Sequence, residues 1–263
     1  MAVSGTLRSS STIVMILALL VGVSLLPPDT SLQEVKTASA LKACVPLLYP
    51  PLVTNDPDLP GIDIELLRAI AEKMGVSLLL SENAAMGRDF NPRNWNLNRA
   101  QCQVIAGGVV DSEQTRSFLE TGPAYSETGW AVLSRTPVDS LLGLNVGTLA
   151  LASGLDRIAL SSYLRSQKIA ATVVTNPEAL VAGLENGSLD AGITEALLAS
   201  RLAAQNNWSV SWAPSELDRY NLVFGLWKGD ITLKRAIEAA FAELAEDGSL
   251  AAILARYSVA PID

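Results

Sequence analysis

The stretch Cys102–Tyr125, CQVIAGGVVDSEQTRSFLETGPAY, decides the fold. Gln103-Val104-Ile105-Ala106 is a short apolar run, preceded by the polar NLNRAQ and followed by two glycines. It reads as a buried central strand that delivers Gly107-Gly108 at its carboxyl end. Glycine there lets a bound molecule approach the backbone closely, at the place where open α/β sheets receive ligands. Asp111-Ser112-Glu113 offers caps for a helical turn, and Gly122-Pro123 is expected to stop the chain before it reorganises. A plain core strand followed by a turn would show the same letters, so the flanking sequence has to decide.

Toward the amino terminus, Leu41–Leu48 reads as a strand that ends at Tyr49-Pro50-Pro51. Ile62–Met74 has Leu66, Leu67, Ile70 and Met74 on one helical face, Asp63 and Glu65 in its first turn and Gly75 at its exit. Val76–Leu80 is a second strand, so strand, helix and strand form a parallel βαβ unit. Ser81–Gln101 is polar and irregular. Toward the carboxyl terminus, Tyr125–Ser134 reads as a strand and a second array begins. It comprises a strand at Asn145–Thr148, a helix at Gly154–Ser166 and a strand at Ala170–Val174. A helix capped by Asn176-Pro177, a short strand at Asp190–Thr194 and a helix at Ala196–Ala204 follow. Tyr220–Trp227 is a strand, Ile231–Glu246 an amphipathic helix and Leu250–Tyr257 a last short one. Two small α/β units in tandem are therefore expected.

The chain has 263 residues, room for one or two domains. Ile13–Leu26 is continuously apolar, short for a membrane span and suited to the apolar part of a secretory signal. Ala38-Ser39-Ala40 supplies a small-x-small pattern, which places a leader at 1–40; the long gap from Leu26 leaves an uncleaved anchor with a tether as the alternative. Removing those 40 residues takes away Arg8, Lys36, Asp29 and Glu34 and leaves 17 basic and 25 acidic residues, net −8. An acidic exported chain without a basic run speaks against nucleic acid and anionic membrane surfaces as partners. With no histidine and two cysteines, Cys44 and Cys102, a serine–histidine or cysteine–histidine nucleophile is excluded and a transition-metal site disfavoured. No glycine-rich phosphate loop is present, and no cofactor is expected. The two cysteines are either a bridge or two separate buried thiols.

At this point the residues carry a resemblance. The chain from Leu41 to Tyr257 resembles the type II periplasmic solute-binding proteins of the polar-amino-acid ABC importer class (bacterial extracellular solute-binding protein family 3). The matching segments, in the family's order, are Tyr49-Pro50-Pro51-Leu52, Gly61-Ile62-Asp63-Ile64-Glu65, Ala106-Gly107-Gly108 and Gly122-Pro123-Ala124-Tyr125, then Val146-Gly147, Leu189-Asp190-Ala191 and Glu246-Asp247-Gly248-Ser249. The resemblance implies an α/β fold of two lobes, each a small mixed sheet flanked by helices, joined by two crossing strands. Lobe one would be 41–129 plus 225–263, and lobe two 130–224. A solute would bind between them and the lobes would close by hinge motion. The first strand and the Gln103–Ala106 strand are neighbours in that topology, which favours a Cys44–Cys102 disulfide. A periplasmic monomer that delivers a small amine-bearing solute to a membrane ABC permease is implied, with no chemistry of its own.

Carried over position by position, the cleft falls on Tyr49, Phe90, Ala106, Gly107, Val109, Gln114, Leu149, Ala152, Ser153 and Glu195. Tyr49 would be an aromatic wall, and Ala152-Ser153 would turn free amides toward an anionic group. Glu195 would hold an amine; the alternative is a first-turn helix acid. Two departures stand out. The arginine that clamps a solute carboxylate in amino-acid receptors is Gln114 here, with Arg116 two residues along, and a helpful hydroxyl is replaced by Val109. Other functions of similar folds remain open: a partner-binding protein that accompanies a quinoprotein dehydrogenase, or a cyclohexadienyl-type dehydratase using Glu195.

Overall fold

A computed structural model describes residues 15–16, 28–86, 91–149 and 155–257. Met1–Thr30 and Ser31–Asp263 are separate compact units; the fold below is that of the second. Phe90, Ala152 and Ser153 lie outside the described residues.

The first sheet has the order β2-β1-β3-β10-β4. Strand β1 (Ala40–Val45), interior to the sheet, is buried along almost its whole length, as expected of a strand covered on both faces. It pairs in parallel with β2 (Ser77–Glu82) and with the two-residue β3 (Val104–Ile105). Between β1 and β2 runs helix α2 (Ile62–Lys73), whose Ile62, Leu66, Leu67 and Ile70 are fully buried. β10 (Tyr220–Trp227) then pairs antiparallel with β3 on one side and with β4 (Leu119–Thr128) on the other. Cys44 at the end of β1 and Cys102 ahead of β3 are bridged, with their Cα atoms 5.6 Å apart.

The second sheet has the order β7-β6-β8-β5-β9. β6 (Val146–Thr148) pairs in parallel with β7 (Ala171–Val173) and β8 (Ala191–Glu195). β5 (Trp130–Ser134) pairs antiparallel with β8 and with β9 (Ser209–Trp212), a strand the sequence reading did not include. Leu133, Leu149, Leu180 and Leu184 form the apolar centre on this side. The two sheets and their helices are the two-lobed α/β architecture expected from the resemblance. The chain passes between them twice: from β4 through Gly129 into β5, and from β9 through residues 213–219 into β10. At the first passage a side chain on Gly129 would begin 3.2 Å from the Trp212 ring, which itself lies under the Arg219 guanidinium at 4.3 Å. Only a residue without a side chain fits there unforced.

Besides β9, and the division at Gly129 of the strand read over Tyr125–Ser134 into β4 and β5 of different sheets, two features differ from the sequence reading. Gly122-Pro123 does not stop the chain; β4 runs through both. Proline has no amide hydrogen to give a ladder, but β4 is the edge strand, and its register against β10 slips around Val223 and Gly225. The bulge absorbs the missing bond. The second feature is helix α1 (Ser31–Ala38), within the segment read as leader. It packs on α7 (Ile231–Glu246), and its Val35 is fully buried in the first lobe's core. The Ser31 hydroxyl accepts from the Leu233 amide at 3.3 Å in the first turn of α7, a helix whose own N-cap, Asp230, makes no capping bond. Ala40 then enters β1 opposite Ser77.

Candidate functional site: two buried carboxylates and two tyrosines

Tyr49 sits in the tight turn after β1. Its amide and carbonyl both bond to Val53, and its carbonyl also accepts from Leu52. The turn directs the ring inward, where it is 6% exposed and lies on Gly108. A Cβ on Gly108 would come 1.9 Å from Tyr49 Cε1, and one on Gly107 would come 2.1 Å from Pro46 Cδ. Both glycines also hold positive φ, +90° and +86°. The approach expected here was that of a bound molecule; what lies against the two glycines is the chain's own Tyr49 and Pro46.

Beneath these glycines lies Asp63, the second residue of α2 and fully buried. Its Oδ2 accepts from the Gly107 amide at 2.5 Å and the Gly108 amide at 3.4 Å, and its Oδ1 accepts from the Tyr125 hydroxyl at 2.5 Å. Burial raises its pKa from 3.8 to about 6, although the three donors pull it down. Tyr125 belongs to β4 and stacks on Phe224 with ring centroids 5.2 Å apart. Three residues on, the Thr128 hydroxyl donates to Glu195 Oε1 in the other lobe.

Glu195 ends β8 and caps α6 (Ala196–Asn206). Its Oε1 also accepts from the Leu197 amide and its Oε2 from the Leu198 amide, both at 3.0 Å. It is 2% exposed, and burial raises its pKa against those bonds. The helix-acid alternative therefore holds, since Glu195 caps α6; its charge also acts on the tyrosines. Burial, then Glu195, then Asp63 push the Tyr49 hydroxyl pKa up; burial and the same two acids do so for Tyr125. Tyr49, Asp63, Tyr125, Thr128 and Glu195 thus form one buried group drawn from both lobes. No cationic side chain is among the causes acting on the four titratable members.

The other sequence-derived positions fall elsewhere. Ala106 is buried and its amide donates to the Cys44 carbonyl at 2.9 Å. Val109 is packed in the apolar cluster around the disulfide, and Leu149 in the centre of the second lobe. Gln114 is exposed on the short helix α3 (Glu113–Phe118), where its carbonyl accepts from Ser117. Arg116, 52% exposed, is paired with Asp111 at 2.7 Å. Asp63, Tyr125 and Thr128 were not among the candidates. Asp63 and Tyr125 stand in quoted segments, but their contacts join residues 44 and 62 positions apart, which no local pattern reports.

Residues 41–260 match the model of the bacterial extracellular solute-binding proteins, family 3. The chain belongs to that family. It is 23% identical to the L-cystine-binding protein TcyJ of Escherichia coli K12 over 262 residues, 93% of this chain and 92% of that one. Among solved structures, an ancestral cationic amino acid solute-binding protein superposes with a TM-score of 0.70 at 17% identity, covering 86% of this chain and 99% of that one. A Streptococcus pneumoniae ABC uptake transporter substrate-binding protein with bound histidine gives 0.65 at 17%, covering 88% and 98%. The arginine-binding protein of T. maritima, as a mutant, gives 0.62 at 20%, covering 86% and 98%. In this solute-binding protein, then, the buried five-residue group lies where the two sheets of the fold are joined.

Proposed function

We propose that the protein is a periplasmic receptor of an ABC importer, which captures a small amine-bearing solute between its lobes and presents it to a membrane permease. The observation that carries this reading is the bond from Thr128 on the crossing strand to the buried Glu195 of the other lobe, whose charge, with that of Asp63, raises the Tyr49 hydroxyl pKa. Two buried acids without a basic partner among the described residues favour a positive guest. Arg116 is turned to Asp111, so the carboxylate clamp of amino-acid receptors has no counterpart from that side chain. The named ligands of the similar proteins include cystine, arginine, glutamine and histidine, each carrying an α-amine, which agrees with an amine-bearing solute. Binding without chemistry is favoured because the chain belongs to a family of solute-binding proteins.

The proposed lobes are 31–129 with 220–263, and 130–219, wider for the first than the sequence bounds because β10 from Tyr220 and the helix from Ser31 belong to it. Export is by a leader that ends ahead of Ser31, since the helix from Ser31 onward packs into lobe one. The test is a melting screen with amino acids, including arginine, histidine and cystine, with polyamines and with betaines. A true solute at 100-fold its dissociation constant adds about 2.7 kcal/mol. For a chain of this size that is a rise of roughly 5–10 °C. A flat response to the whole panel refutes the proposal.

A further inference from the structure

We infer that Asp63, although no solute would touch it, supplies the second negative charge of the site and makes capture of a cationic solute proton-linked: binding expels a proton from the Asp63 carboxyl to solvent. The inference rests on the solute-binding reading above and specifies the charge that the site selects.

The geometry separates the two acids by role. Glu195 sits at the end of β8, where its charge acts on Tyr49 of the other lobe. Asp63 lies on the far side of Gly107-Gly108, wholly enclosed, its oxygens held by two amides and a phenol. The groups that face it are Tyr49 from the turn after β1, Tyr125 from β4, and the two glycine amides from the end of β3; Glu195 acts on the same two tyrosines from β8. None of these is positive, so an ionised Asp63 has only dipoles to hold it in a dry site, a costly state.

A proton relieves that cost without disturbing the architecture. In the acid form the carbonyl oxygen can still accept from Gly107, while the new O–H donates to the Tyr125 oxygen, which reverses its role. What titrates is therefore charge rather than shape. An ammonium or guanidinium held beside Tyr49 would be a nearby opposite charge, which favours the carboxylate and lowers its pKa. The proton must leave as the cation arrives. Burial already places this titration near pH 6, inside the range an external compartment experiences.

The experiment uses the full chain and L-arginine, whose net charge is constant between pH 5 and 8. Calorimetry in buffers of different ionisation enthalpy counts the protons released, and the dissociation constant is followed from pH 8 to 5. In the wild type the constant should rise about tenfold between pH 7.5 and 5, with proton release about half complete at pH 6 and growing toward pH 5. Asp63→Asn can keep its acceptor toward Gly107 and donate to Tyr125; it should bind arginine yet lose the part of that rise centred near pH 6, leaving only what Glu195 contributes. Tyr125→Phe keeps the stack on Phe224 and removes one donor from the carboxylate, so it should move the midpoint upward. An identical pH response in wild type and both variants overturns the inference while leaving the receptor reading intact. Absence of arginine binding at every pH, with no response to any cation of the melting panel, refutes the reading and the inference together.

Discussion

Deleting residues 1–40 should damage the folded protein, whereas deleting 1–30 should not. The difference is helix α1. Val35 is fully buried, and returning such a side chain to water costs about 1.5–3 kcal/mol. Ser31 supplies the hydroxyl that caps α7 through the Leu233 amide, and losing a cap costs about 1 kcal/mol. Lys36 donates to the Met74 carbonyl at the end of α2, and Ala40 takes the first place in the β1–β2 ladder. Val35 and Ser31 together give roughly 2.5–4 kcal/mol, a large part of the 5–15 kcal/mol typical of a domain. The assay is urea unfolding of chains 31–263 and 41–263, followed by tryptophan fluorescence. With an m-value of about 2–3 kcal/mol/M, the shorter chain should unfold roughly 1–2 M earlier. Val35→Ala in the longer chain should reproduce more of the loss than Ser31→Ala. If the two truncations unfold at the same urea concentration, α1 contributes nothing and the reasoning fails.

Reducing the Cys44–Cys102 bridge, whose cysteines are 58 positions apart, should cost about 4 kcal/mol on the chain-entropy model, read as a drop in melting temperature under reductant. Gly108→Ala should destabilise by several kcal/mol, about the upper range of single substitutions, because its Cβ would enter the Tyr49 ring and its φ is positive; urea unfolding measures it. Asp63 has a folded pKa near 6 above its free value of 3.8, so its protonated form is the stabilised one. Its contribution is complete below about pH 4 and is lost as pH rises through about 6. Asp63→Asn should therefore flatten a fall of up to about 3 kcal/mol across that window, seen in unfolding at pH 4, 5, 6 and 7. Glu195→Gln should lower affinity for a bound amine by about a hundredfold, consistent with a charge-assisted contact, and also loosen α6, since its amide nitrogen would face an N–H of Leu197 or Leu198.

The sheets were legible because their strands are apolar runs of the right length between turn residues, and the caps at Asn176 and the amphipathic face of Ile231–Glu246 behave as written. Helix α1 was hidden by coincidence: Ala38-Ser39-Ala40 has the small residues of a cleavage site, while only Leu32 and Val35 mark the buried face. Gly122-Pro123 misled because local turn chemistry carries no information about edge position. Glu195 was visible in either of two guises, and the structure displays the helix-starting one. Asp63 was not, since an acid in a helix's first turn usually serves the helix; its bonds to Gly107 and Tyr125 exist only once three distant segments meet.

The proline in β4 also bears on how the molecule behaves among its neighbours at high concentration. That rim of the first sheet is blunted: a bulge and a missing donor leave a poor template for another chain's strand. The opposite rim has no such guard, for β2 presents Leu79 and Leu80 at 50% and 46% exposure along an unbroken run. Stickiness, where it arises, will enter from the β2 side, and a single lysine in place of Leu79 is the natural way to suppress it.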